Sequence, residues 1–82
     1  MEIQYYIAKN KTNISKHGIN LADAEVVLYD QMGITIEDSD HNELRYVTIG
    51  RDAFFRVLVV VWTECGGDCF RLISARKADR TE

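Results

Sequence analysis

Three β-rich runs limit the fold most: ELRYVTIG (43–50), FFRVLVVVWT (54–63) and CFRLISA (69–75). The links between them, RDA and ECGGD, are of hairpin length. Consecutive strands joined by hairpins form an antiparallel meander. The middle run is almost entirely apolar, as a central strand covered on both faces would be. GITIE (33–37) alternates and reads as a further strand, and SDHN (39–42) as a polar turn.

The first half reads differently. EIQYYI (2–7) is a short candidate strand. AKNKTNISKH (8–17) reads as a helix, with Ile7 and Ile14 on one face and Lys9, Asn13 and Lys16 on the opposite one. Gly18 supplies a helix stop. NLADAEVVLYD (20–30) reads as a second helix, with Asn20 as N-cap, Asp23 in the first turn and an apolar stripe of Leu21, Ala24, Val27 and Leu28. RKADRTE (76–82) is compatible with the start of a last helix. The order β-α-α-β-β-β-β predicts an α+β fold, an N-terminal strand and two helices packed on a four-stranded antiparallel sheet. With 82 residues, no proline and no repeat, a single domain over residues 1–82 is expected.

No apolar run approaches the roughly 20 residues a membrane helix needs. MEIQYYIAKNK lacks an apolar segment after a basic start, so no signal peptide is read and a cytoplasmic location is expected. The net charge of −3 argues against a strongly basic nucleic-acid binder. Its distribution says more. Gly18 to Leu44 holds seven acidic residues and no Lys or Arg, leaving ten basic and six acidic elsewhere, a local +4. Positive charge gathers at Lys9, Lys11 and Lys16, and again at Arg71, Arg76, Lys77 and Arg80.

Four groupings are candidates for chemistry. Cys65 and Cys69 flank a predicted hairpin tip; one pair falls short of the four ligands of a zinc site, a cross-hairpin disulfide is an alternative that a cytoplasmic location disfavours, and two reduced thiols beside a turn are expected. A metal site using these cysteines and a histidine is a distant alternative. His41, Glu43 and Arg45 project from one face if the chain there is extended. They read either as an exposed salt-bridge row or as members of a phosphodiester-cleaving set, which needs a base, cations and an acid. Arg71 and Arg76 suit phosphate through the planar guanidinium fork, or pair with a neighbouring carboxylate. Lys16 and His17, before Gly18, either complement the helix dipole or do chemistry.

The order of these stretches resembles the BrnT toxin family. The resemblance rests on AKNKTNISKHGIN, an acidic helix ending in VVLYD, then IEDSDHNELRYVTIG, RVLVVVWT and RLISARKADRTE, and covers essentially the whole chain. It implies a RelE-like α+β fold and metal-independent mRNA cleavage, with no cofactor. It also implies basic residues on a concave sheet face that grip RNA, and neutralisation by a BrnA-like antitoxin. The matching positions are Lys9, Asn13, Lys16, His17, Gly18, Glu43, Arg45, Arg71, Ser74 and Arg76. Three features depart from the family: the net charge, a tyrosine (Tyr5 or Tyr6) in place of tryptophan, and a short basic tail.

Two functions are therefore expected. The first is an endoribonuclease toxin. Arg45, Arg71 and Arg76 would stabilise the phosphate, Glu43 or His41 would be the base and His17 the acid. Lys9, Lys16, His41, Lys77 and Arg80 would hold RNA. The second is a weak or inactive homologue that binds an antitoxin in operon autoregulation. DNA would be contacted only through the antitoxin and no membrane is involved. A homodimer and a toxin–antitoxin heterotetramer both fit.

Overall fold

The computed structural model describes residues 2–39 and 44–79. Strand β1 (Glu2–Gln4) leads into α1 (Ile7–His17) and α2 (Leu21–Ala24), which continues as a 3-10 helix over Glu25–Tyr29. Strands β2 (Ile34–Asp38), β3 (Arg45–Arg51), β4 (Val57–Glu64) and β5 (Cys69–Lys77) follow. They form one sheet in the order β1-β5-β4-β3-β2. The predicted α+β class and the antiparallel meander of β2 to β5 are present. The sheet, however, is mixed and five-stranded. The N-terminal strand joins it, parallel to β5, with Ile3 opposite Phe70 and Gln4 opposite Arg71. The meander leaves one edge of β5 open, and a strand that precedes two helices can return to that edge in parallel.

The core lies between the helices and one face of the sheet. Ile19, Leu21, Ala24 and Val27 meet Leu58, Val60, Leu72 and Ala75, all essentially inaccessible. Burying a leucine-sized side chain contributes about 1.5–3 kcal/mol. The three buried residues of the second helical segment, Leu21, Ala24 and Val27, recur every third position. A 3-10 helix has three residues per turn and keeps such a row aligned. That explains why the predicted second α-helix tightens after one turn. Asn20 caps it as expected, its Oδ1 accepting from Ala22 N–H at 2.9 Å. Gly50 lets this segment approach β3: a Cβ there would stand 3.1 Å from Asp30 Oδ2 and 3.2 Å from Val27 Cγ1.

Helix α1 is turned over relative to the expectation from its apolar residues. Ile7 and Ile14 are exposed, whereas Asn13 is buried. The reason lies at the edge of β5. Beyond Gln4 no strand among the described residues covers that edge, and Ala75 is fully buried. Asn13 Nδ2 donates to the Ala75 carbonyl at 2.8 Å, and Asn13 Oδ1 accepts from Ala75 N–H at 3.0 Å. The amide side chain thus substitutes for a strand neighbour. Its Nδ2 also donates to the Ile19 carbonyl at 2.8 Å and fastens the α1–α2 corner. Gly18 ends α1 at φ 70°, its N–H donating to the Ile14 carbonyl, as its left-handed conformation requires.

Two further expectations are corrected. Cys65 and Cys69 are joined by a disulfide across the GGD turn, with Cα atoms 5.2 Å apart. The hairpin brings them into bridging range, and Cys65 N–H donates to the Cys69 carbonyl. No last helix begins at Arg76: β5 runs on to Lys77. Ala78 N–H then donates to the Val57 carbonyl, continuing the pairing with β4. No helix among the described residues is long and apolar enough to cross a membrane.

The turn before β4 is held by one acid. Asp52 is buried; its Oδ1 accepts from the N–H groups of Phe54 and Arg56, and its Oδ2 from Arg56 Nε at 2.7 Å. Burial works against the charge, but the bonds from Arg56 and the backbone prevail and hold the carboxyl below its ordinary value. The ionised form is therefore the one the fold prefers. Its contribution is complete above the ordinary carboxylate value of about 3.9 and is lost as pH falls through the lower folded-state value. Asp52→Asn should lower stability at pH 7 by about 1.5–3 kcal/mol, with a flatter acid limb below about pH 4 in denaturant titrations across pH.

Asn13→Ala leaves both backbone groups of Ala75 without partners, and each unmet buried group costs about 1–3 kcal/mol. The expected loss is at least about 2 kcal/mol, seen as a fall of about 8 °C or more in Tm.

Candidate functional site

The face of the sheet opposite the core carries the candidate residues, and a β-bulge decides which. Strict alternation along β5 would set Leu72 and Ala75 on opposite faces. Both are buried in the same core. The register explains it: Val61 pairs with Ser74 and Trp62 with Leu72, so Ile73 is the extra residue. After this bulge, Ser74 and Arg76 share the open face with Arg71, which they would not in a regular strand. Thr63 pairs with Arg71 and donates its hydroxyl to the Leu44 carbonyl at 2.8 Å, tying the start of β3 to β4. Arg45 opens β3 opposite Asp38.

Two adjoining clefts result. The larger, ≈ 240 Å³, is lined by Tyr6, Lys9, Arg45, Thr63, Arg71, Leu72 and Ile73. The second, ≈ 170 Å³, is lined by Lys9, Thr12, Asn13, Lys16, His17, Ile73 and Ser74. Lys9 and Ile73 belong to both, so the clefts form a continuous groove between α1 and the bulged part of β5. Helical spacing supplies one wall: Lys9, Asn13 and Lys16 follow at intervals of four and three and lie on one face. Because Asn13 points that face at the sheet, its lysines flank the groove.

The groove gathers Lys9, Lys16, Arg45 and Arg71, with one imidazole at His17. Arg71 forms no ion pair among the described residues, and its Nε is buried without a hydrogen-bond partner. Its guanidinium carbon lies 4.8 Å from the centre of the Tyr6 ring. Among the described residues no carboxylate lines either cleft. Such a groove suits a polyanion: fixed cations neutralise phosphate, and the guanidinium fork can match two phosphate oxygens.

The expected residues thus divide. Lys9, Lys16, His17, Arg45 and Arg71 come together. Arg76 and Lys77 lie further along β5, paired with Val59 and Leu58, and line neither cleft. Arg76 Nη1 donates to the Lys77 carbonyl. His41, Glu43 and Arg80 fall outside the described residues. Tyr6 and Thr63 were not among the candidates. Tyr6 precedes Lys9 by three residues, which helical spacing would have placed beside it; the pairing of Thr63 with Arg71 depends on the bulge.

The fold and the groove define a small α+β protein with a cation-lined groove on the open side of its sheet. The chain belongs to the BrnT family: the model for "Ribonuclease toxin, BrnT, of type II toxin-antitoxin system" matches residues 5–82. Its fold is similar to the crystal structure of the Brucella abortus ribonuclease toxin BrnT, with 27% identity and a TM-score of 0.73. That match covers 98% of this chain and 99% of the Brucella chain. No curated protein matches the chain by sequence.

If Arg71 contacts phosphate, Arg71→Gln should weaken single-stranded RNA binding across sequences. It should also reduce the slope of log affinity against log salt by about 0.7, the share of one phosphate contact. Fluorescence anisotropy at several salt concentrations measures both.

Proposed function

We propose that this chain is an endoribonuclease toxin that cleaves mRNA without a metal ion, in the manner of RelE-like nucleases, and is neutralised by a BrnA-like antitoxin. The observation that carries the reading is the concentration of Lys9, Lys16, Arg45, Arg71 and His17 around one groove in a chain of net charge −3. Such a concentration costs mutual repulsion and is best accounted for by an anionic ligand.

In this reading the phosphodiester sits against Arg71 and Arg45. The neighbouring 2′-hydroxyl attacks phosphorus, and the two guanidinium groups meet the charge that develops on the phosphorane oxygens. Lys9 lies between the clefts and Lys16 beyond it, both supporting the backbone of a single strand. His17, whose imidazole lines the second cleft, donates the proton to the departing 5′-oxygen. The base is assigned to Glu43 or His41 in the segment just before Arg45. Arg76, Lys77 and Arg80 serve as outer contacts along the strand. The antitoxin would cover the same groove with acidic groups, and DNA would be reached only through it, as a heterotetramer or around a toxin homodimer.

The net acidity favours one rival, a homologue that binds antitoxin without cleaving. Expression of the chain alone in bacteria should arrest growth and degrade transcripts, and Arg71→Ala should relieve both. The purified protein should cleave a bare single-stranded RNA in excess EDTA. Intact RNA under all conditions, with an operator shift that needs only the partner, would establish the rival instead.

A further inference from the structure

Arg71 presents a problem that its surroundings answer. A long cationic side chain that must meet one phosphate oxygen has to be held still, and rotamer freedom opposes this. The usual device is a carboxylate, which orients the guanidinium through two hydrogen bonds but also cancels its charge and occupies its donors. Arg71 has no such partner among the described residues, and its buried Nε is unmatched. What it has is the ring of Tyr6, with the guanidinium carbon 4.8 Å from the ring centre. A cation over an aromatic face is held by the ring quadrupole without giving up any N–H.

Tyr6 itself has no evident structural duty that needs an aromatic ring. The residue is 55% exposed. It is the N-cap residue of α1 yet makes no side-chain cap, and its backbone carbonyl, which any residue would supply, accepts from Asn10 N–H. Its neighbour Tyr5, by contrast, packs against the core. The placement of Tyr6 is nevertheless determinate. β1 pairs with β5 through Gln4 and Arg71, and α1 starts at Ile7, so the two-residue connection that carries Tyr6 begins beside Arg71.

We propose that Tyr6 is the positioning residue of Arg71: its ring orients the guanidinium over the groove while leaving its charge and N–H donors available to a phosphodiester. The inference rests on the endoribonuclease reading for its consequence in catalysis, and on geometry alone for the contact. It makes Tyr6 part of the site although it touches no reacting atom.

The test is a substitution series assayed on one single-stranded RNA. Tyr6→Phe and Tyr6→Trp keep an aromatic face and should stay within about threefold of wild type, whereas Tyr6→Leu should lose about 3- to 30-fold, the range expected from a cation–π contact. The loss should fall mainly on kcat, with KM changed less than about twofold, because a mispositioned guanidinium fails the transition state. In an Arg71→Gln background, Tyr6→Leu should cost nothing further; a merely structural tyrosine would cost the same in both backgrounds. Thermal unfolding of each variant identifies any that fail to fold.

A second readout does not depend on catalysis. The Arg71 Nε–H resonance should carry a ring-current shift in the wild type that disappears in Tyr6→Leu. An active wild type with Tyr6→Leu equally active, or with additive effects in the double variant, overturns the inference and leaves the nuclease reading intact. An inactive wild type overturns the nuclease reading. The Arg71 resonance then decides the contact by itself, and an unshifted wild-type resonance refutes it.

Discussion

The pairing of the Asn13 amide with the backbone of Ala75 is the contact on which the arrangement of this protein depends. A β-strand that loses its neighbour partway along leaves a buried peptide group to be satisfied. Here β1 stops at Gln4, and the peptide at Ala75 is completed by a side chain from α1. The same amide reaches the Ile19 carbonyl, so helix, corner and sheet edge share one residue. Because it fixes the rotation of α1, it also fixes where Lys9, Lys16 and His17 stand. The exposed positions of Ile7 and Ile14 follow from this choice: satisfying a buried donor and acceptor outweighs the burial of two apolar side chains that can be partly covered elsewhere.

The bulge at Ile73 is the complementary device on the sheet. It keeps Leu72 and Ala75 both in the core while turning Arg71 and Ser74 to the open face. Without it, one half of β5 would present its apolar side chains to water. The groove therefore arises where two irregularities meet, a helix docked by a polar residue and a strand with one residue too many. Its cations owe their proximity to this junction and not to their spacing along the chain.

The charge distribution takes on a spatial meaning in the same frame. Of the described acidic residues of the basic-free stretch, Asp23 lies on α2, Glu25 in the 3-10 helix, Asp30 just after it, and Glu37 and Asp38 on β2; α2 itself packs beside α1 and β5. The groove lies between α1 and β5, with Thr63 of β4 and Arg45 of β3 on its far side. Asp38 on β2 stands opposite Arg45 on β3, yet none of the described acidic residues lines the groove, so a net charge of −3 coexists with a groove lined by Lys9, Lys16, Arg45 and Arg71. Attraction of an anion depends on this local field more than on the sum, within a Debye length of about 8 Å at physiological ionic strength.

By itself the sequence determined the class of fold, the meander, the cap at Asn20 and the stop at Gly18, because these follow from local rules of periodicity, turn length and left-handed glycine. It also brought Lys9, Lys16, His17, Arg45 and Arg71 under consideration through their chemistry. Only the tertiary structure decided that the N-terminal strand joins the sheet and that Asn13 faces inward. The same holds for the bridge between Cys65 and Cys69 and for the tightening of the second helix. Nor could spacing reveal that Tyr6 lies against Arg71 while Arg76 lies outside the groove. The bridge, four residues across, depends on the hairpin geometry; the strand order, the docking of Asn13 and the contact of Tyr6 with Arg71 turn on long-range pairings, β1 with β5 or α1 with Ala75. The residues involved are separated by about sixty positions, as for Asn13 and Ala75 at 62, and a local pattern carries no information over that distance.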